Sequence, residues 1–279
     1  MPFVVAKKLL TLKAIFLKVT NTSIHMRKLG IIGFGWLGNH IAERLSDRYE
    51  IFATTTTQSK AEDLTSKGYH ATLVDFPDDL SEEITEWEVA TQLDIIVIAV
   101  PFSGIRGRQV SMKNRQENLL KFLGDYKGQL FLMSSTGVYP QTEKEFTEDD
   151  LSVEHVESES FIAHRFPQTN ILRLAGLMGG TRLLKNYNIS NLDQLVNHIH
   201  YADICSVVEK MLENTSQSKV YNVVAPIHPN KEEVICAQND LSYSGMRTDK
   251  GRLISSAKLI SELDFEFQYP DPRYFHPMK

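Results

Sequence analysis

The stretch Gly30-Ile31-Ile32-Gly33-Phe34-Gly35-Trp36-Leu37-Gly38 decides how this chain folds. Residues 28–33 form a short apolar run that reads as a buried strand. Leu37, Ile41 and Leu45 then recur at helical spacing and place one apolar stripe on the segment that follows. Between them stand Gly33, Gly35 and Gly38. A strand that turns at once into a helix needs glycine at such positions for three reasons. The turn is tight, a pyrophosphate must approach the backbone, and the helix must pack closely on the strand. The free amides and positive dipole end of the helix would then face the phosphates. Gly33, Gly35, Trp36, Leu37 and Gly38 are therefore the expected pyrophosphate contacts.

Outward from this turn the chain alternates strand and helix. Strands are expected at 50–54, 71–76, 94–100 and 129–133, and helices near 59–68, around 80–90 and at about 111–123. The 94–100 run is rich in Ile and Val, as a strand buried on both faces should be. Such alternation predicts an α/β protein, a doubly wound parallel sheet of Rossmann type with helices on both faces. After Gly176 the rhythm loosens, which suggests a small C-terminal substrate lobe. The expected domains are 26–176 for dinucleotide binding and 177–279 for the lobe, with about 197–225 returning to the sheet through a helix at 204–212 and a strand at 220–224.

Composition narrows the function classes. The 279 residues are 42% hydrophobic, enough for a full core, and the net charge of −5 argues against nucleic acid as a partner. Only Cys205 and Cys236 are present, so there is no disulfide framework and no cysteine-rich zinc site. The longest apolar run, 95–101, is far short of the ~20 residues that span a bilayer. A cytoplasmic protein without membrane partners is expected. Residues 1–25 differ from the rest, with Lys7, Lys8, Lys13 and Lys18 and no acidic residue before Glu43. They read as an upstream extension, with the domain opening at Met26. A targeting peptide or a membrane-surface helix are the alternatives.

The cofactor implied is NADP or NAD. NAD preference usually shows as Asp or Glu ~20 residues past the first glycine. Here that stretch holds Thr54, Thr55 and Thr56 followed by Lys60, without a carboxylate. Hydroxyls and a lysine lean toward the 2′-phosphate of NADP. Asp75 and Phe76 are expected near adenine, Pro101 below the ribose, and Ala175 and Gly176 near nicotinamide.

Further along, Ser134-Ser135-Thr136-Gly137-Val138-Tyr139-Pro140 follows the fifth strand. With the glycine turn, this segment resembles the extended short-chain dehydrogenase/reductases, the superfamily of nucleotide-sugar epimerases and dehydratases. Ile171-Leu172-Arg173-Leu174-Ala175-Gly176, Asn197-His198-Ile199-His200-Tyr201-Ala202-Asp203 and Val220-Tyr221-Asn222-Val223 resemble later segments of that superfamily, in order. The resemblance implies a small carbonyl or hydroxyl substrate such as a sugar, and by analogy a homodimer formed through helices flanking the sheet. A departure concerns catalysis. The family's Tyr-x-x-x-Lys pair exchanges a proton with the substrate and lowers the tyrosine pKa, yet no tyrosine occurs between Tyr139 and Tyr187. Aligned on Glu159, His155 takes the lysine position and Leu151 the tyrosine position. The chain thus resembles the atypical extended subgroup.

Two functional classes follow. One is an NAD(P)-dependent oxidoreductase or epimerase in which Ser135 bonds the reacting oxygen and Tyr139, His155 or His164 donates the proton. The other is a sensor that binds NAD(P)H without turning it over. Residues 29–38 and 99–101 alone also resemble β-hydroxyacid and imino-acid dehydrogenases, which continue into long helices. His198 and His200 alternate as strand metal ligands do, but are better read as a strand-to-helix joint leading to Asp203, with no metal. Residues 141–160 carry eight acidic side chains against Lys144, and read as a solvated face. Arg182, Lys185, Arg247, Lys250 and Arg252 are the basic candidates for substrate phosphates.

Overall fold

A computed structural model describes residues 26–78, 84–101, 112–246 and 250–276. Seven strands form one parallel sheet: β1 (Arg27–Ile32), β2 (Tyr49–Thr55), β3 (His70–Leu73), β4 (Ile95–Ile98), β5 (Gln129–Ser135), β7 (Asn170–Leu174) and β10 (Val220–Val223). The short pair β6 (Glu145–Phe146) and β11 (Leu253–Ile254) and the pair β8 (Gly176–Met178) and β9 (His198–His200) lie outside it. Strand order is β10-β7-β5-β4-β1-β2-β3, so the direction of winding reverses between β1 and β4. A crevice at the carboxyl ends of those two strands is where such sheets bind ligands.

Side chains alternate across the sheet and build two cores. Leu29, Ile31, Ile95 and Val97 face α1 (Trp36–Leu45) and α5 (Tyr201–Glu213), whose Ile41, Leu45, Ile204 and Val208 are buried. Ile32, Ile96, Ile98 and Leu132 face α3 (Met112–Leu123) and α4 (Glu157–Arg165), meeting Leu119, Phe122 and Ile162. A run apolar on every residue is what two covered faces require. The remaining helices are α2 (Gln58–Ser66), α6 (Lys231–Gln238) and α7 (Ala257–Leu263). No helix among the described residues is long and apolar enough to cross a membrane.

The expected helix around 80–90 is corrected where it is described. Residues 84–89 are not helical, and a 3₁₀ turn occupies Ala90–Gln92. The segment is pinned by Trp87, whose ring stacks on Phe122 at 5.2 Å and whose indole N–H donates to Thr72 Oγ1 at 3.1 Å. One large buried aromatic outweighs the local helical pattern. Positions 79–83, the segment 1–25, Ser111 and Arg247 lie outside the described residues. The strand expected at 71–76 stops at Leu73, and Phe76 turns down to meet Phe122 edge-on. Helix α5 begins three residues early because the His200 ring accepts from the Ala202 amide and caps it.

Candidate functional site

Each glycine of the turn after β1 is required by something different. Gly33 has φ +88°, and a Cβ there would lie 2.6 Å from Val100 Cγ1 and 2.8 Å from the Val100 nitrogen. A side chain at Gly38 would meet the Gly33 carbonyl and Ile31 at 3.1 Å, so this glycine lets α1 lie against β1. Gly35 is unlike both. Its added Cβ would find nothing nearer than the Gly33 carbonyl at 3.9 Å. Protein packing does not demand glycine there, whereas a ligand lying on the backbone would. Gly35 is also the N-cap of α1, with no side-chain cap and no acidic residue in the first turn. The residues present therefore fit a dinucleotide pyrophosphate.

Around this turn opens a cavity of about 690 Å³, lined by Gly33, Gly35, Trp36, Leu37 and Gly38 on one wall. Val100 and Pro101 after β4, Met133 to Ser135 at the end of β5 with Gly137 beyond it, and Ala175 and Leu177 after β7 line the other side. Ser158 at the start of α4 and Arg182 beyond β8 reach in as well. Among the described lining residues Arg182 alone has an ionisable side chain. The Ser135 hydroxyl is exposed at the end of β5 and accepts from the Gly137 amide at 3.0 Å.

Other expected site residues do not reach this cavity. Thr54 is buried, and its hydroxyl accepts from the Gly33 amide at 3.0 Å, tying β2 to the glycine turn. Thr55 is also buried, and Thr56 is exposed. Lys60 Nζ donates to the Phe34 carbonyl, which sets its charge beside the turn. The Asp75 carboxylate is exposed and accepts from the Phe76 amide, while Phe76 belongs to the core. Gly176 is exposed at the start of β8, packed against His198.

The proton donors named from sequence lie away from the cavity lining. Tyr139 is 2% exposed. Its hydroxyl donates to Asn222 Oδ1 at 2.9 Å and accepts from Arg173 Nη1 at 2.8 Å. Burial raises its pKa, although the Arg173 guanidinium opposes this. Arg173 also grips Glu159 in a fully buried pair, Nη2 to Oε2 at 2.8 Å, and donates to the Leu151 carbonyl. Ser134 donates to Glu159 Oε1 at 2.6 Å, and Asn222 N–H donates to the buried Glu148. Tyr139 is thus one member of a satisfied network behind β5. His155 is exposed and held by Ser152 at 2.7 Å, and His164 pairs with Glu154 at 3.0 Å. Neither lines the cavity, because their segment of 3₁₀ turns and outer helix face looks to solvent.

At the lobe joint, burial holds His198 and His200 down at about pKa 4, with lesser effects from Lys231 and His40 respectively. The Asp203 carboxyl is pushed up to about 6 by burial, although the amides of Gln268 and Tyr269 donate to it at 2.8 and 3.0 Å. No group of three or more potential metal ligands gathers among the described residues. Of the basic residues, Lys185 bonds the Gln238 carbonyl, Lys250 pairs with Asp193 at 2.7 Å and Arg252 donates to the Tyr139 carbonyl at 2.7 Å. The acidic stretch is partly internal, since Glu148 and Glu159 are buried. Ser158, Met133 and Leu177 were not foreseen as lining residues. Glu159 facing inward was the available signal that its neighbour opens toward the cleft.

Residues 28–120 match the family described as NADP oxidoreductase coenzyme F420-dependent. The Escherichia coli K12 protein YeeZ is 28% identical over 269 residues, covering 88% of this chain and 98% of its own. Yeast methylglyoxal/isovaleraldehyde reductase Gre2, solved with NADPH, superposes with a TM-score of 0.70 at 14% identity, over 89% of this chain and 95% of its own. The UDP-N-acetylglucosamine 4-epimerase of Bacillus cereus gives 0.63 at 16% identity, over 88% and 96%. With the strand order and the glycine turn, these similarities show that the chain has a Rossmann-type fold like that of the Gre2 reductase and the UDP-N-acetylglucosamine 4-epimerase.

Proposed function

We propose that the protein binds NADP or NAD in the cleft and acts as an oxidoreductase or epimerase on a sugar or other small carbonyl or hydroxyl substrate. The observation that carries this reading is the open space at Gly35, on a helix end without an acidic side chain and facing the cavity. Gly33 to Gly38 would hold the pyrophosphate, and Lys60 beside the turn favours the 2′-phosphate of NADP. A bound nicotinamide would supply a hydride donor or acceptor. Ser135 would donate a hydrogen bond to the substrate oxygen from the end of β5. Since the described lining lacks any group titrating near neutrality, the proton would be exchanged with water along the Ser135 and Ser158 hydroxyls. That same lack favours a second reading, a sensor of NAD(P)H that does not turn it over.

Fluorescence titration with NADH and NADPH, followed by long incubation of each complex with a panel of keto-sugars, tests both. Binding with slow reoxidation is the expected result. Binding without reoxidation by any carbonyl would favour the sensor, and binding of neither cofactor would overturn both readings.

A further inference from the structure

We infer that Arg182 is a clasp on the cofactor diphosphate, reaching across the cleft from the lobe and seated on Trp36; this rests on the cofactor reading above. Trp36 is the first residue of α1, directly after Gly35. The Arg182 guanidinium lies 4.1 Å from the centroid of its ring. Edge contacts fix that ring, to His40 at 4.9 Å and to Tyr201 at 5.6 Å. The arginine backbone is fixed too. Gly179 and Arg182 exchange amide–carbonyl hydrogen bonds at 2.9 and 3.1 Å around a turn in which Gly179 and Gly180 have positive φ.

Arg44, Arg48, Arg165, Arg173 and Arg273 each pair with a carboxylate. Among the described residues no carboxylate pairs with Arg182. A guanidinium stacked by its face keeps its in-plane N–H groups free, and these match two oxygens of a phosphate. Seated on the residue that follows Gly35, the group sits beside the end of α1, where free amides attract the same anion. Amides from one wall and a guanidinium from the other would close on one diphosphate.

Titration of the protein with NADPH, and displacement of NADPH by ADP-ribose, tests this in wild type, Arg182→Gln, Arg182→Lys and Trp36→Phe. ADP-ribose carries the diphosphate without the nicotinamide or the 2′-phosphate. Arg182→Gln is expected to weaken both ligands equally, by roughly ten- to hundredfold. Arg182→Lys should recover part of the loss as a point charge, and Trp36→Phe should cost a few-fold. The melting temperature of Arg182→Gln should fall by no more than about 2–4 °C, since only the contact with the Trp36 ring is lost. Wild-type affinity of Arg182→Gln for both ligands overturns the clasp alone. Loss of NADPH with ADP-ribose retained overturns it as well, moving Arg182 to the nicotinamide or to the 2′-phosphate, the two groups that ADP-ribose lacks. A wild-type protein that binds neither ligand overturns the cofactor reading and the clasp together.

Discussion

The two walls of the cleft use their polar groups in opposite ways. On the β1–α1 wall the backbone amides of the helix end are left without a side-chain cap, and Gly35 keeps the space before them clear. On the β5 wall almost every polar side chain is turned inward. Ser134, Glu159, Arg173, Tyr139 and Asn222 bond one another behind the strand, and Ser135 alone offers an exposed hydroxyl. One wall is unfinished without a ligand, while the other is complete without one. On the function proposed above, the wall that would hold the nucleotide is open while most polar groups of the other wall serve the structure.

The contrast breaks most sharply at the glycines. Gly35→Asp should weaken NADPH more than about a hundredfold, because a carboxylate would meet the diphosphate. Its melting temperature should hold or rise, since Asp is a favoured N-cap. Gly33→Ala should instead lose about 2–3 kcal/mol of stability through its positive φ and the clash with Val100. Equal binding by Gly35→Asp and wild type would remove the pyrophosphate site. On the other wall, Glu159→Gln leaves the buried Arg173 without its counter-charge, and urea denaturation should show the largest loss of stability, about 3–5 kcal/mol. A variant as stable as wild type would mean that the network behind β5 is not structural.

Acid should act on stability rather than on binding. His198 and His200 ionise near pH 6.5 when unfolded but near 4 when folded, so the unfolded state takes up more protons in that window and stability falls as pH drops through it. Asp203, held at about 6, works the other way, because the folded state keeps its proton where the unfolded state has lost it. Two histidines outweigh one aspartate, so a net loss on the order of 2 kcal/mol is expected between pH 6.5 and 4. Denaturation curves across that range check it, and rising stability on acidification would contradict the assignment. The smallest effects separate two residues of β5 and its turn. Ser135→Ala should lower any reductase turnover about tenfold with stability kept, whereas Tyr139→Phe should cost about 1–2 kcal/mol with turnover kept. Reversed outcomes would return Tyr139 to the chemistry.

Much of the sheet was legible because buried parallel strands must be apolar throughout, as 95–98 are, and because glycine spacing is dictated by backbone geometry. The part of the expected 80–90 helix at 84–89 was misread since Trp87, a single anchor, leaves no periodic trace. That Tyr139 and His155 lie off the cavity lining was not legible for a different reason. Their type suits proton transfer, but whether a tyrosine faces a cleft or Arg173 depends on partners 34 and 83 residues away. Arg182 was visible only as one basic residue among several, and the Trp36 ring that distinguishes it lies on another element.

The Asp203 carboxylate has a consequence for how the chain is made. Its two bonding amides stand 65 and 66 residues further along. At ~5–20 residues per second, roughly 3–13 s of synthesis separate the helix start from the groups that satisfy it. Until then a docked α5 would bury a carboxylate without partners, so its first turn must wait in solvent. The order of emergence from the ribosome therefore sets when the first turn of α5 can be buried with its carboxylate satisfied.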